Sequence, residues 1–246
     1  MTPIIALGFL FLTIFLFLVV FLFIKKYTPQ FREILALTRL ARSLGLSVED
    51  GKRLHISLGH SSLLDERGGS AFAGLSALRI ISEKTSVSDM PPVASAGDAA
   101  LGLLTQDTMQ AGYQAAGVEE LYVHTTSRVT GLTPFSYTVG AMYIASDENV
   151  STNIMLGHFG AEASLLADVA DRNYATLIGA SDNLAGQSVL YASTQDALIG
   201  EELFATGAYL DTSSSHSASL IVQDILRWLI IITLLGGSAL KFIGVF

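Results

Sequence analysis

The chain lacks cysteine altogether. This absence excludes structural disulfides, thiol catalysis and thiolate metal sites. Charged residues make up only 15% of the 246 residues and hydrophobic residues 50%, a balance that excludes disordered, collagen-like and disulfide-framed proteins. The apolar excess lies at the two ends of the chain, and the middle has the composition of one globular domain.

Basic residues are scarce between residues 85 and 226. This region holds two Lys or Arg against sixteen Asp or Glu, in a chain whose net charge is -8. Nucleic-acid affinity depends largely on basic side chains that displace counterions from phosphates. We therefore expect no nucleic-acid partner, and the carboxylates are typical of a solvated surface.

Residues 3–24 contain no charged side chain. A helix of this length measures roughly 33 Å, enough to cross a hydrocarbon core of about 30 Å. Lys25, Lys26 and Arg32 follow this span, and no basic residue precedes it. Because basic residues remain on the cytoplasmic side, the pattern predicts an inner (plasma) membrane protein with its N-terminus outside and its central domain in the cytoplasm. A cleaved signal peptide is the alternative, but no basic n-region or small-residue cleavage site is present.

The C-terminal segment from Trp228 to Phe246 is apolar apart from Lys241. It predicts either a second membrane span or an amphipathic helix in the membrane plane. We therefore expect an N-terminal anchor (1–27), a cytoplasmic α/β domain (28–218) and a C-terminal membrane helix (219–246). The residues expected at the membrane interface are Lys25, Lys26, Arg32, Trp228 and Lys241.

Short apolar runs alternate with helical patterns through the middle of the chain. Strands are predicted at 54–58, 92–96, 121–125, 153–156 and 175–180, and helices at 31–46, 70–85, 98–116, 134–146, 183–193 and 197–210. Such alternation predicts an α/β fold with a mostly parallel, Rossmann-like or flavodoxin-like sheet, helices on both faces and flanking transmembrane helices. Segment 164–173 fits a strand or a helix, and 211–219 is a predicted polar linker.

Polar residues follow several predicted strands. Ligands of open parallel sheets bind beyond the carboxyl ends of the strands, so His60, Asp98, Thr126 and His158 are the candidate ligand-binding residues. Helix N-caps and turns require the same short polar residues, and Asp98 precedes a predicted helix. Both interpretations stay open.

Motifs for catalysis and cofactors are missing from the sequence. The Gly-rich segment 68–74 lacks the Lys-Ser/Thr of a phosphate loop and the GxGxxG spacing of a dinucleotide site. The five histidines never occur as HxH or HxxxH, and no GxSxG is present. We therefore expect no cofactor, no metal site and no catalytic residue.

Four segments carry a resemblance to a known family: TRLARSLGLSVEDGKRLHISLGH (38–60), NIMLGHFGAEASLLADVAD (153–171), ALIGEELFATGAYL (197–210) and SLIVQDILRWLII (219–231). With the membrane span, the chain from about residue 36 to residue 235 resembles an uncharacterised family of bacterial membrane-anchored proteins, a domain of unknown function. The resemblance implies an anchor, a domain and a second anchor. It assigns no catalytic residue.

The function expected from these patterns is a membrane-anchored scaffold that self-associates into a homo-oligomer on the lipid bilayer. The small residues 236–239 favour helix packing, and the apolar stretch 197–210 suggests an exposed interface. One alternative is a small-molecule-binding or enzymatic domain that uses the crevice at the strand ends. The other is an accessory subunit of a larger membrane complex.

Overall fold

The computed structural model describes residues 3–24, 31–63, 68–211 and 214–242. The chain divides into two compact units, one formed by residues 33–210 and the other by the segments up to residue 32 and from residue 211 onwards. Lys25 and Lys26, which the sequence assigns to the membrane interface, lie outside the described residues.

The terminal unit contains α1 (Pro3–Ile24) and α9 (Ser214–Phe242). The central unit contains the elements α2 (Leu35–Glu49), β1 (Arg53–Gly59), α3 (Gly68–Thr85), β2 (Val93–Ala96), α4 (Ala99–Ala115), β3 (Ser127–Val129), α5 (Pro134–Asp147), β4 (Val150–His158), α6 (Ala163–Arg172), β5 (Thr176–Ser181), α7 (Leu184–Ser193), β6 (Asp196–Leu198) and α8 (Glu202–Leu210). Two 3₁₀ turns precede β3, at Glu119–Leu121 and His124–Thr126.

The six strands form one sheet in the order β3-β2-β1-β4-β5-β6, and every neighbouring pair is parallel. This is the order of the doubly wound Rossmann sheet, in which the direction of winding reverses between the first and fourth strands. The predicted α/β class with a mostly parallel sheet is confirmed.

Both faces of the sheet are covered by helices. Alternate residues of β1, Leu54, Ile56 and Leu58, pack with α2, α3, α4 and α8 in an apolar core. On the other face, Met155 and Leu177 pack against α5, α6 and α7. Burial on both faces is what all-parallel sheets require, and it explains why their strands read as nearly continuous apolar runs.

A buried hydrogen-bond network lies beneath α5, on the second face. The Nδ1 atom of His55 donates to the Asn153 side-chain oxygen at 2.9 Å, and its Nε2 lies 2.9 Å from the Ser95 hydroxyl. The Tyr137 hydroxyl contacts the hydroxyls of Ser57 and Ser95. Burial, the largest effect, lowers the pKa of His55 from an ordinary 6.5 to about 4. The ring is therefore held in its neutral form within the sheet.

Several predicted boundaries are wrong. The strand predicted at 121–125 lies at Ser127–Val129 instead, because Tyr122 packs against Tyr113 of α4, with ring centroids 5.5 Å apart, and the chain turns there. Segment 164–173 falls almost entirely in α6, so the antiparallel pairing that a strand there would require does not form.

The C-terminal third of the central unit also differs from its prediction. The helix predicted at 197–210 is instead the last two residues of β6, a turn with Gly200 at a φ of 64°, and α8. The linker predicted at 211–219 is replaced from Ser214 onwards by the first turns of α9.

Helices α1 and α9 are each long and apolar enough to cross a membrane, over Ala6–Ile24 and Ser215–Ala239. Only 11% of each segment is buried within the molecule, unlike the core helix of a globular protein. Among the residues expected at the interface, Arg32 and Trp228 are exposed and Lys241 lies in the last turn of α9.

Replacing His55 with Gln should remove one component of the pH dependence of folding. The folded-state pKa of His55 is lower than the unfolded-state value, so the unfolded chain binds the proton first and stability falls as the pH drops from about 6.5 towards 4. Between about pH 7 and about pH 5, the free energy of unfolding of the wild type should fall by about 2 kcal/mol more than that of His55→Gln. Denaturant titration of the full chain in detergent measures this difference, and parallel pH profiles would contradict it.

Candidate functional site

Strands β1 and β4 end side by side at the point where the winding of the sheet reverses. Gly59 and His158 are paired in register there. Gly59 has a φ of 74°, and a Cβ atom on it would lie 2.3 Å from the His158 carbonyl oxygen. A Cβ atom on Gly157 would lie 2.0 Å from the Leu58 carbonyl oxygen. Only glycine allows the two backbones to approach so closely.

His60 follows β1 and is held by a carboxylate. Its Nε2 atom lies 3.0 Å from Oε1 of Glu162, in the connection between β4 and α6. The Gly160 amide donates to the same oxygen at 2.6 Å. Because the carboxylate accepts, the proton of this hydrogen bond belongs to His60 Nε2.

His158, the last residue of β4, forms a second pair of the same kind. Its Nδ1 atom lies 2.5 Å from Oδ1 of Asp182, which directly follows β5. The Ser70 hydroxyl, from the first turn of α3, donates to the same carboxylate. Three segments therefore meet at the second pair: the end of β4, the connection that follows β5 and the start of α3.

The two imidazole rings are in contact with each other. Their centroids are 5.0 Å apart and their planes are at 87°, an edge-to-face arrangement. Glu162 occupies Nε2 of His60 and Asp182 occupies Nδ1 of His158. In the described part of the chain no hydrogen bond occupies the opposite ring nitrogens, Nδ1 of His60 and Nε2 of His158.

Both carboxyl groups are held in the ionised form. Burial by itself would raise the pKa of Glu162, but the amides of Gly160 and Glu162 together with His60 hold it below its ordinary value. Burial opposes ionisation of Asp182 as well, and hydrogen bonds from His158 and Ser70 lower its pKa. The Glu162 side chain is only 7% exposed and that of His158 only 6%, so these charge-assisted hydrogen bonds are largely shielded from water.

The structure brings two of the four predicted ligand-binding residues together, His60 and His158. The Asp98 carboxylate accepts from the Leu101 amide at 3.0 Å and caps α4. The Thr126 hydroxyl donates to the Val123 carbonyl at 2.7 Å. Asp98 and Thr126 thus serve local backbone hydrogen bonds.

Sequence reasoning missed Glu162, Asp182 and Ser70. The rule that selected His60 and His158 also applies to Asp182, since this residue leaves the predicted strand at 175–180. Glu162 lies four residues after His158, and nothing in its own sequence neighbourhood distinguishes it from a solvated acid. Ser70 is indistinguishable in sequence from a helix-capping residue.

The hydroxyl of Ser61, the residue that follows His60 in the sequence, is also buried. Ser61 is 1% exposed, and its hydroxyl has no hydrogen-bond partner among the described residues. Buried polar groups are seldom left unpaired, and each such group requires an explanation. Within the described residues no group of three or more His, Asp or Glu side chains is placed to hold a metal ion.

This arrangement is suited to proton exchange. Each carboxylate fixes the tautomer and the orientation of one imidazole and directs its other nitrogen away from the ion pair. When neutral, that nitrogen accepts a hydrogen bond, and when the ring is protonated it donates one. Two imidazoles so placed have the chemistry that a general acid and a general base require.

Replacing Asp182 with Asn should lower the free energy of unfolding at neutral pH by about 1–2 kcal/mol, because a charge-assisted hydrogen bond becomes a neutral one. The folded-state pKa of Asp182 is below its unfolded value, so its contribution is complete above about pH 4 and is lost as the pH falls through the folded-state pKa. The free energies of unfolding of the wild type and of Asp182→Asn, measured by circular dichroism, should therefore become equal at acid pH.

Asp168→Asn is the matched control for Asp182→Asn. Asp168 forms an exposed pair with Arg172, four residues away on α6. Such pairs contribute little, so we expect a change below about 0.5 kcal/mol. Equal losses in the two variants would show that the His158–Asp182 pair has no special energetic role.

No curated protein and no solved structure is similar to this chain. A family model described as a domain of unknown function, DUF6754, matches residues 4–246. The match includes both terminal helices and all six strands, so the chain belongs to the DUF6754 family.

Proposed function

We propose that the central unit binds a small polar molecule at the carboxyl ends of β1 and β4 and exchanges protons with it through His60 and His158. The observation that carries the proposal is the pair of imidazoles in contact, each oriented by its own carboxylate and each with one ring nitrogen that no described residue hydrogen-bonds. Their position at the reversal point of the sheet is where ligands of this architecture bind.

The ligand should carry hydroxyl or amine groups. Neutral imidazole nitrogens accept hydrogen bonds, and the Ser61 hydroxyl, which has no partner among the described residues, provides a further donor or acceptor in the connection that contains His60. Glu162 and Asp182 are ionised, so the charge around the histidines is negative unless the rings are protonated. This charge favours neutral or cationic molecules over anionic ones.

The location we propose is the inner (plasma) membrane, with α1 and α9 as anchors and the central unit in the cytoplasm. The length and apolarity of both helices support membrane attachment. Orientation rests on the basic residues that follow residue 24. The accessory-subunit alternative stays a prediction.

Self-association is the second candidate function, but the stretch 197–210 does not favour it. In α8, Leu203, Ala205, Ala208 and Leu210 are buried, so the apolar residues of this stretch are largely consumed by the domain core.

Ligand-observed NMR with a library of small polyols, amino sugars and amines tests the binding proposal on the full chain in detergent. We expect hits in the wild type whose affinity falls at least about tenfold in His60→Gln and in His158→Gln, because each variant removes one imidazole nitrogen from the site. His124→Gln is the control and should bind the same molecules with unchanged affinity, since His124 is exposed and lies in the turn before β3. A library without binders, or binders that both variants hold unchanged, would refute the proposal.

The absence of cysteine allows a direct test of the orientation. Ser188→Cys places a single thiol on the exposed side of α7. If the central unit is cytoplasmic, a membrane-impermeant maleimide should label it only after the cells are lysed. If intact cells are labelled at the rate of a periplasmic cysteine control, the central unit lies outside the cytoplasm and the proposed orientation is wrong.

A further inference from the structure

We infer that a cavity at the amino ends of β1, β4 and β5, named here the amino-end cavity, binds the ring of a neutral sugar and that Tyr174 stacks on this ring. The inference does not depend on the histidine site. Strand β4 has nine residues, so its two ends lie roughly 26 Å apart. A ligand the size of one sugar ring therefore cannot touch both sites.

The amino-end cavity lies between α2 and the first residues of the strands. Its volume is about 270 Å³. Pockets for drug-sized ligands measure about 300–1,000 Å³, so this one suits a smaller molecule of about one ring. The Ser47 hydroxyl of α2 lies 3.0 Å from the hydroxyl of Ser151 in β4. This contact fixes one wall of the cavity against the other.

The walls carry groups that both donate and accept hydrogen bonds. Hydroxyl and carboxamide side chains predominate among them, and they include Asn149, Ser151, Thr152, Asn173 and Thr176. Each hydroxyl of a ligand also donates and accepts. A polyhydroxylated molecule can therefore pair with these walls from several directions at once.

Thr152 offers a hydroxyl that the fold itself does not use. The residue is only 2% exposed, is paired with Leu54 in the register of β1 and β4, and lines the cavity. Its hydroxyl forms no hydrogen bond with any residue that the structure describes. Buried polar groups are seldom left unpaired. A ligand hydroxyl, or the water that such a ligand displaces, completes this group.

The charges around the cavity favour a neutral ligand. Asp50 and Lys52 are the charged residues among those that line it, and their charges are opposite. Phosphate groups are bound most strongly by several charge-assisted donors. A single lysine near an aspartate is a weak site for such an anion, so we expect a sugar to bind better than its phosphate ester.

Tyr174 adds an aromatic surface at a cost to the fold. Its φ is 52°, in the left-handed region that bulky residues rarely adopt. Helix α6 ends here in a turn in which the Ala175 amide donates to the Ala170 carbonyl at 2.9 Å, and glycine is favoured at the position of Tyr174. The residue is 97% exposed, so packing in the core does not compensate for the strain. Strained residues of this kind cluster at ligand sites.

A sugar ring matches both the walls and the tyrosine. The face of an aromatic ring is negative, and it attracts the weakly positive C–H groups on the face of a sugar. The hydroxyls at the edge of the same sugar reach the polar walls. An inorganic ion would use the walls alone, and an apolar molecule would use Tyr174 alone.

Saturation-transfer NMR on the full chain in phosphatidylcholine nanodiscs tests the inference with neutral monosaccharides, their phosphate esters and nucleosides. Nanodiscs are chosen because alkyl glycoside detergents carry the same kind of ring. At least one neutral sugar should bind, and its phosphate ester should bind at least about tenfold more weakly. Absence of a neutral sugar among the binders, or tighter binding of phosphate esters or nucleosides, would overturn the inference.

The variant Tyr174→Gly separates binding from folding. Glycine tolerates a φ of 52°, so the variant should unfold at an equal or higher temperature than the wild type and yet bind the sugar at least about tenfold more weakly. Tyr174→Phe keeps the ring and should keep the affinity. Tyr191→Ala is the matched control, since Tyr191 is 74% exposed on α7 and does not line the cavity. Unchanged affinity in Tyr174→Gly, or an equal loss in Tyr191→Ala, would contradict the role of Tyr174.

Two further variants locate the bound sugar. Thr152→Val removes one hydroxyl and should weaken binding about fivefold, the effect of one neutral hydrogen bond. Thr105→Val is its control, because the Thr105 hydroxyl donates to the Leu101 carbonyl within α4. His60→Gln should leave the affinity for the sugar unchanged. A sugar that Tyr174→Gly still binds and His60→Gln does not would belong to the histidine site, and this inference would be wrong.

Discussion

The close approach of the β1 and β4 backbones is the constraint on which the candidate site depends. Gly157 and Gly59 leave no room for a side chain between the two strands at their carboxyl ends. His60 and His158 are brought into ring contact by this approach, and Glu162 and Asp182 then orient them from the flanking connections. The imidazoles are thus positioned by backbone packing as well as by hydrogen bonds. Side chains held in this way keep their geometry when a ligand is absent.

The second polar feature of the sheet, around His55, has a different character. Its members lie inside the sheet beneath α5, and His55 is held neutral by burial. The histidines at the strand ends are paired with ionised carboxylates instead, and His60 reaches the surface. His55 and the histidine pair therefore have different physical roles. His55 completes the packing of the sheet, whereas His60 and His158 each have one ring nitrogen that no described residue hydrogen-bonds.

Periodicity predicted most of the α/β architecture, because buried parallel strands and the helices between them leave clear apolar patterns, as in Leu54–Leu58 and Pro134–Ser146. Short elements were misplaced where tertiary packing overrides local pattern: Tyr122 belongs to the packing of α4, and β6 has only three residues. His60 and His158 were predictable from the rule that ligands bind at the carboxyl ends of parallel strands. Glu162 was not, since its pairing with His60 depends on a contact between residues 102 positions apart.

The strands that border the sheet, β3 and β6, have three residues each. Asp196 in β6 forms an ion pair with Arg39 of α2, which places charge at one border. Short, charged edges offer few free amides and carbonyls to an incoming strand, and proteins use them to resist β-augmentation. Contacts between neighbouring molecules are then left to helices, so the close approach of two copies does not extend the sheet from one molecule into the next.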